Sequence, residues 1–273
     1  YLAYPPRGLQ SIQQAISDYD IEVRILDFNF LILEKLSQVP DDQEVDLNGM
    51  IDGLLNDYFS QDQEASLVGI STGVQVPNVF GTKNHPYIQI LNYFMEKNQH
   101  IVFTGGPIAT LEKEGLLKLE LAHLVLTGEA ENKFRFFIVN LFDKEEVRPT
   151  PGIFFNSISG ISETLGEPDF VSPQCNLIST YNHIEIEKYN TVGSLGPLSR
   201  MTNPDKKYAA LQMIRGCRGQ CTFCELTDFR GKKVAQYSPS VVLSEMKYLV
   251  KEHGITHFEW LDDDLLYSRK AIT

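Results

Sequence analysis

The feature that most constrains the fold is an alternation of short apolar runs with segments that carry a helical apolar stripe, through about the first 145 residues. Short apolar runs bounded by turn residues are typical of buried strands, and a 3.6-residue stripe is typical of an amphipathic helix. This pattern predicts an α/β fold whose N-terminal domain, residues 1–145, is a doubly wound parallel sheet. The candidate strands are Leu2–Tyr4, Glu22–Asp27, Leu67–Ser71, His100–Thr104 and His123–Leu126, and the clearest helical stripe runs from Leu47 to Phe59.

Small residues follow four of these candidate strands, at the end where parallel sheets bind ligands. Glycine allows a bulky ligand to approach the backbone, and a Ser or Thr hydroxyl supplies a directional hydrogen bond. Tight turns between a strand and a helix also require Gly and Ser, so a binding site and ordinary turns both remain as interpretations. The four segments are Pro5–Gly8, Ser71–Gly73, Gly105–Pro107 and Thr127–Glu129.

Three of the four cysteines are grouped in one short segment with the spacing C-x3-C-x2-C: Cys217, Cys221 and Cys224. Cysteine thiolates are the usual ligands of iron–sulfur clusters, normally four per cluster. The remaining cysteine, Cys175, lies well upstream in a proline-flanked stretch, and nothing in the sequence marks it as a fourth ligand. The spacing therefore favours a [4Fe–4S] cluster with one iron open to a small molecule.

Three other interpretations of these cysteines are a structural zinc site, a disulfide pair and inert buried thiols. Structural zinc usually has four ligands in two pairs, and no second Cys or His pair stands at finger-like spacing. A disulfide framework suits a short secreted chain, whereas this chain has 273 residues, four cysteines and no signal peptide. These features indicate a cytoplasmic protein with reduced thiols.

The cysteine segment lies within a predicted strand–loop–helix–strand unit. Tyr208–Ile214 is an apolar run typical of a buried strand, and Arg215-Gly216 opens the loop. Ser238 and Pro239 are typical of a helix start, and Gly254 of a helix end. A second strand, Ile255–Leu261, is followed directly by three carboxylates. These are Asp262, Asp263 and Asp264, which either contact a cofactor or are a solvated helix start.

The cysteine motif, with Phe223 directly before its third cysteine, resembles the signature of the radical S-adenosylmethionine superfamily. The resemblance implies that the three cysteines hold a [4Fe–4S] cluster whose open iron binds S-adenosylmethionine. It implies reductive cleavage of S-adenosylmethionine to a 5′-deoxyadenosyl radical, fed by an external one-electron donor of flavodoxin or ferredoxin type. It also implies that residues 206–273 are the start of a partial TIM-like (β/α)6 barrel. The residues expected to contact S-adenosylmethionine are Phe223, Asp262 and Asp263.

The small-residue segments after the N-terminal strands resemble the Rossmann-like cobalamin-binding domain that precedes many radical S-adenosylmethionine enzymes. The Asp-x-His-x-x-Gly loop of many cobalamin domains is replaced here by Pro5–Gly8, so no lower cobalt ligand can be named. The resemblance implies cobalamin as a second cofactor. The residues expected to contact it are Ser71, Thr72, Gly73, Gly105, Gly106, Gly128 and Glu129.

Together these features predict three parts: a cobalamin-binding-like domain (1–145), a connecting segment (146–205) and the N-terminal part of a radical barrel (206–273). Because only two barrel strands are present, we expect the sequence to be a fragment whose substrate-binding strands lie elsewhere. The predicted function is cobalamin-dependent methylation of an unactivated carbon. The alternatives are radical cyclisation, oxidation or rearrangement of a larger substrate such as a tetrapyrrole, and a non-catalytic α/β protein with structural zinc.

The charge of the chain limits its partners. Asp and Glu number 36 against 24 Lys and Arg, a net charge of −12. Nucleic acids and anionic membranes are bound by basic surfaces, so neither is an expected partner. No apolar run approaches the roughly 20 residues of a membrane-spanning helix. The expected partners are a small-molecule substrate and the electron donor.

Overall fold

The computed structural model describes residues 5–40, 42–60, 67–72, 79–81, 84–142, 150–166, 177–190, 192 and 206–268. The helices, in chain order, are α1 (Arg7–Ala15), α2 (Phe28–Leu36), α3 (Leu47–Phe59), α4 (Pro86–Lys97), α5 (Pro107–Leu111), α6 (Lys113–Lys118), α7 (Glu131–Phe142), α8 (Ile186–Tyr189), α9 (Leu226–Arg230) and α10 (Pro239–His253). The strands are β1 (Leu67–Ser71), β2 (Ile101–Gly105), β3 (Leu124–Leu126), β4 (Ile153–Ser157), β5 (Gly160–Glu163), β6 (Tyr208–Leu211), β7 (Ile214–Arg215), β8 (Ala235–Gln236) and β9 (His257–Trp260). The described residues also include two short 3-10 helices, Ile178–His183 and Leu265–Tyr267.

The chain divides into two compact units, one of residues 42–170 and one of residues 1–41 with 171–273. The unit of residues 42–170 is a mixed α/β fold around a five-stranded sheet in the order β1-β2-β3-β4-β5. Strands β1, β2 and β3 are parallel, and Val102 and Val125 on β2 and β3 are fully buried. This pairing confirms the prediction of parallel strands. Strand β1 has the predicted bounds, and β2 and β3 begin one residue later than predicted.

The rest of that sheet differs from the prediction. Strands β4 and β5 form an antiparallel hairpin in what was expected to be a connecting segment, with Gly160 at a φ of 111° after the turn. The hairpin was missed because its strands are short and follow two prolines, Pro149 and Pro151. The described strands of this sheet follow one another in chain order, so the strand crossover of a doubly wound sheet stays a prediction. Of the two other predicted strands, Glu22–Asp27 pairs with no strand among the described residues, and Leu2–Tyr4 lies outside them.

The other unit contains the predicted strand–helix–strand arrangement. Strand β6 pairs in parallel with β9, and α10 connects them. Helix α10 begins after Ser238 with Pro239 at its first position, although the Ser238 hydroxyl contacts Ser240 rather than capping the helix. The helix ends at Gly254, whose φ of 64° is readily adopted only by glycine. A small antiparallel pair, β7 with β8, lies within the long connection.

Helix α1 belongs to this second unit. The buried face of α1 is polar and consists of Arg7, Gln10 and Ser11. Arg7 Nη1 lies 2.6 Å from Glu245 Oε1 on α10 and donates to the Ala210 carbonyl on β6 at 3.1 Å. These contacts hold the N-terminal helix against the strand–helix–strand arrangement.

Among the described helices, none combines the length and the apolar character needed to cross a membrane.

Candidate functional site

The three cysteines lie on the loop between β7 and α9, as free thiols. Cys217 and Cys224 are half-buried and Cys221 is exposed. The Gly219 backbone N–H donates to Cys217 Sγ at 3.3 Å, and the Cys224 N–H donates to the Cys221 carbonyl at 3.1 Å. A Cβ at Gly219 would lie 3.3 Å from Cys217 Sγ and 3.7 Å from Cys221 Sγ, so both sulfurs face the same small space.

The start of this loop is held by tight backbone packing and by a buried arginine. Gly216 has a φ of 92°, and a Cβ there would lie 2.5 Å from the Lys233 carbonyl oxygen. This position therefore requires glycine. Arg215 is 7% exposed, donates to Ser11 Oγ at 3.0 Å and lies over the Tyr237 ring. The cysteines thus follow a rigid β7 end.

In the ranges that the structure describes, no three His, Cys, Asp or Glu side chains are grouped so as to hold one metal ion. In an iron–sulfur cluster each thiolate binds a separate iron, so the ligands do not have to converge on one metal position. The test of fit is therefore the donor set, the kind and number of ligand atoms. That set is three free thiols on one loop, with a backbone N–H already donating to one sulfur. Hydrogen bonds to ligand sulfurs are a common feature of such clusters. The donor set fits an iron–sulfur cluster.

Asp262, the first of the three carboxylates after β9, is held by the backbone. It accepts hydrogen bonds from the backbone N–H groups of Met213 and Ile214, which lead into the cysteine loop. Partial burial raises the pKa of Asp262 above its ordinary value, the two backbone donors oppose that rise, and nearby Asp263 adds to it. Asp262 therefore links the end of β9 to the strand before the cysteines.

The other two carboxylates differ in their surroundings. The Asp264 side chain is 13% exposed and forms an ion pair with Arg218, the residue after Cys217, at 2.7 Å between Oδ2 and Nε. Asp263 is exposed. Phe223 is 90% exposed beside Cys224. The structure thus brings the acidic segment to the cysteine loop and leaves Asp263 and Phe223 open to solvent.

Several residues predicted to contact cobalamin lie together at the carboxyl ends of β1 and β2. The Thr72 N–H donates to the Gly105 carbonyl at 3.4 Å. Gly106 has a φ of 94°, and a Cβ there would lie 2.5 Å from the Thr72 carbonyl oxygen and 3.2 Å from Ser71 Oγ. Thr72 Oγ1 is buried and has no hydrogen-bond partner among the described residues. A hydroxyl in this state beside a glycine surface fits a ligand that offers a polar group.

Thr110 on α5 was not singled out from the sequence, yet it joins the ends of β2 and β3. Its hydroxyl donates to the Gly106 carbonyl at 2.9 Å and accepts from the Gly128 N–H at 2.8 Å. Only its position three residues after Pro107, one helical turn into α5, could have indicated this role. Glu129 is half-buried, and its carbonyl accepts from Lys133 Nζ at 2.7 Å. Gly73 lies outside the described residues.

No family model matches the chain. In fold, it is similar to the radical S-adenosylmethionine methyltransferase TsrM from Kitasatospora setae, solved with cobalamin and a [4Fe–4S] cluster bound. The TM-score is 0.63 at 18% identity, over 96% of this chain and 46% of TsrM. It is also similar to the cobalamin-dependent S-adenosylmethionine radical enzyme OxsB, solved with aqua-cobalamin and S-adenosylmethionine bound. There the TM-score is 0.62 at 14% identity, over 96% of this chain and 32% of OxsB.

Two curated relatives are methyltransferases by name. An uncharacterised methyltransferase of Pyrococcus horikoshii is 24% identical over 170 residues, which are 62% of this chain and 34% of the relative. Cytidylyl-2-hydroxyethylphosphonate methyltransferase of Streptomyces wedmorensis is 30% identical over 101 residues, 37% of this chain and 17% of the relative. The chain thus spans about a third of the first relative. The resemblance is confirmed at the level of the fold, which the chain shares with the radical S-adenosylmethionine methyltransferase TsrM and with the cobalamin-dependent S-adenosylmethionine radical enzyme OxsB.

Proposed function

We propose that this chain is the cofactor-binding part of a cobalamin-dependent radical S-adenosylmethionine methyltransferase acting on a small molecule. The observation that carries the proposal is the loop of three free cysteines at C-x3-C-x2-C spacing, placed between β6 and α10 of a parallel strand–helix–strand arrangement. The parallel pair is the start of the partial (β/α)6 barrel in this proposal, and the sheet of residues 42–170 is the Rossmann-like cobalamin domain.

In this proposal Cys217, Cys221 and Cys224 hold the [4Fe–4S] cluster. When bound, the cluster supplies the electron for reductive cleavage of S-adenosylmethionine. The exposed carboxylate of Asp263 binds the cationic amino group of that cofactor, because opposite charges attract most strongly where water is displaced. Phe223, exposed beside Cys224, covers the cofactor and excludes water. Asp262 acts indirectly, since its oxygens are bound to the backbone before the loop.

Cobalamin, when bound, supplies a cobalt centre that carries the methyl group. The residues proposed to line its site do so by shape and hydrogen bonding rather than by cobalt ligation. Gly105 and Gly106 let the ligand approach the backbone, and the Thr72 hydroxyl donates to an acceptor on it. The remaining contacts in this proposal come from Ser71, Gly73, Gly128 and Glu129.

The proposed reaction is transfer of a methyl group to an unactivated carbon of a small-molecule substrate in the cytoplasm. It needs an external one-electron donor of flavodoxin or ferredoxin type. The names of the relatives favour methyl transfer over cyclisation or another rearrangement.

Anaerobic reconstitution of the purified chain with iron and sulfide tests the proposal. We expect about four irons and about four sulfides per chain, and an electron paramagnetic resonance signal that changes when S-adenosylmethionine is added. A variant with alanine at all three motif cysteines is the control and should bind neither iron nor sulfide. Stoichiometric zinc without sulfide would contradict the cluster assignment.

Cobalamin binding is tested separately on the same chain. Cobalamin should co-elute with the chain in gel filtration, and Thr72→Val should weaken its binding while the chain remains folded. Equal cobalamin binding by the variant would contradict the proposed contact, and no binding by the unmodified chain would contradict the cobalamin assignment.

A further inference from the structure

Arg218, directly after the first motif cysteine, is held by three features of the segment that follows β9. Its Nε lies 2.7 Å from Asp264 Oδ2 and its Nη2 lies 3.0 Å from Asp264 Oδ1, a two-pronged ion pair. The same Nη2 donates to the Leu266 carbonyl at 3.1 Å, and the guanidinium lies 5.7 Å from the centre of the Tyr267 ring. We call this group the Arg218 clasp; it consists of Arg218, Asp264, Leu266 and Tyr267.

The clasp reaches the backbone of the cysteine loop as well as its side chains. The Arg218 N–H points at Asp264 Oδ2 at 3.5 Å, the outer limit of a hydrogen bond. The next N–H along the chain, that of Gly219, donates to Cys217 Sγ. Because adjacent peptide planes share a Cα atom, holding Arg218 restricts the direction in which the Gly219 N–H points.

The far side of the clasp is fixed to the core of the same unit. Leu265, between Asp264 and Leu266, packs against the buried cluster of Met213, Ile214, Tyr237 and Val242. The Asp264 carboxylate is largely buried although Arg218 is 57% exposed. A bidentate pair with one buried partner has a defined geometry, which distinguishes it from an ordinary surface ion pair.

We infer that the Arg218 clasp is a positioning device for the cluster, an inference that rests on the proposed function. The clasp sets the N–H···S hydrogen bond to Cys217 and places one positive charge next to the cluster. Hydrogen bonds to the sulfurs and net charge both set the reduction potential of an iron–sulfur cluster. Arg218 and Asp264 are positioning residues, since the hydrogen bonds of their side chains run to each other, to the Leu266 carbonyl and to the loop backbone.

The test compares Arg218→Ala, Arg218→Lys and Lys232→Ala with the unmodified chain after anaerobic reconstitution. Lys232 is exposed between α9 and β8. Its replacement by alanine therefore removes one positive charge from the connection between β7 and β8 and leaves the clasp intact. The measurements are the reduction potential of the cluster, its electron paramagnetic resonance spectrum and the rate of iron loss to a chelator. A far-ultraviolet circular dichroism spectrum checks that each variant is folded.

We expect Arg218→Ala to shift the potential to more negative values than Lys232→Ala does, and to speed iron loss about tenfold. For Arg218→Lys, the reduction potential and the rate of iron loss should lie between those of Arg218→Ala and Lys232→Ala. The reason is that lysine keeps the charge and loses the two-pronged geometry. If Arg218→Ala and Lys232→Ala match in potential, spectrum and iron loss, the clasp has no positioning role. If the unmodified chain takes up no cluster, the proposed function fails and the clasp fails with it, a result distinct from the first.

Discussion

The cysteine loop and the carboxyl ends of β1–β3 are two candidate binding regions of opposite character. The cysteine loop presents three sulfur donors and is surrounded by charged groups, Arg218, Asp262 and Asp264. The strand ends present glycines, hydroxyls and a buried Thr72 oxygen without a partner among the described residues. The first region is suited to binding by bonds to particular atoms, and the second to binding by shape.

This difference predicts how each region responds to substitution. A site built on ligand atoms should lose its function when one atom is removed and should tolerate changes in nearby volume. A site built on shape should be weakened but not abolished by the loss of one hydrogen bond, and should be impaired when a single carbon is added. Substitutions in each region can therefore break or support the contrast between them.

Replacing Cys221 by alanine should abolish stable cluster binding and cleavage of S-adenosylmethionine. The reason is that only three thiolates are available in the motif, so the loss of one leaves two irons without a protein ligand. Iron and sulfide content after reconstitution checks the first effect, and formation of 5′-deoxyadenosine checks the second.

The matched control for that prediction is Cys175→Ala, which removes the thiol outside the motif. It should leave the iron content unchanged, and both variants should keep the circular dichroism of a folded chain. Retention of the cluster in Cys221→Ala would mean that the loop does not bind through its sulfurs, and the contrast between the regions would fail.

Replacing Glu245 by leucine should destabilise the cysteine-bearing unit by about 3–5 kcal/mol, because Arg7 would remain buried without its partner. Burial by itself would lower the pKa of Arg7, but the attraction of Glu245 raises it above the ordinary arginine value, so the guanidinium is charged. Denaturant unfolding measures the loss. The double variant Arg7→Met with Glu245→Leu should recover most of it, and failure to recover would indicate that the buried pair is not the cause.

Replacing Gly106 by alanine should destabilise the sheet unit by about 1–3 kcal/mol and weaken cobalamin binding. The added Cβ would lie 2.5 Å from the Thr72 carbonyl oxygen, at a φ of 94° that alanine adopts only with strain. Gly53→Ala is the control, since its Cβ on α3 would have nothing within 4 Å and should stabilise the helix by up to about 1 kcal/mol. If Gly106→Ala binds cobalamin as the unmodified chain does, shape at this edge is not what binds the ligand.

The smallest expected effect is a pH dependence due to Asp262. Folding raises the pKa of Asp262, so the folded chain holds this proton more tightly than the unfolded chain. That stabilisation is fully present below the ordinary aspartate pKa of about 4 and is lost as the pH rises through the higher folded value. The unfolding free energy of the unmodified chain minus that of Asp262→Asn should therefore fall across this window. A difference that stays constant or rises with pH would contradict the assigned environment.

The parts of the fold that the sequence indicated correctly are those decided by neighbouring residues. The bounds of β1 follow from one apolar run, the ends of α10 from Pro239 and Gly254, and the cysteine loop from its spacing. The hairpin of β4 and β5 was missed because its strands are short and follow two prolines. Glu22–Asp27 was expected to be a strand and pairs with none of the described strands, because an apolar alternation cannot indicate whether a partner strand is available.

The sequence could not indicate the contacts that complete the candidate sites. The Arg218–Asp264 pair joins residues 46 positions apart, and the Arg7–Glu245 pair joins residues 238 apart. Charged residues are common at such separations, and nothing in either local pattern distinguishes these pairs from solvated charges. Thr110 was overlooked for the same reason, since its role depends on two strand ends that meet only in the folded sheet.

The contact between α1 and α10 has a consequence for the order in which the chain folds. Helix α1 is synthesised before residues 42–170, and its partner Glu245 emerges only after all of them. Domains generally fold as units during synthesis, so we expect the sheet to form first and to shorten the loop that α1 must close. Until then the face of α1 that will be buried presents Arg7, Gln10 and Ser11 to water. A polar helix face that is in contact with water in a partly folded chain is less prone to aggregate than an apolar face.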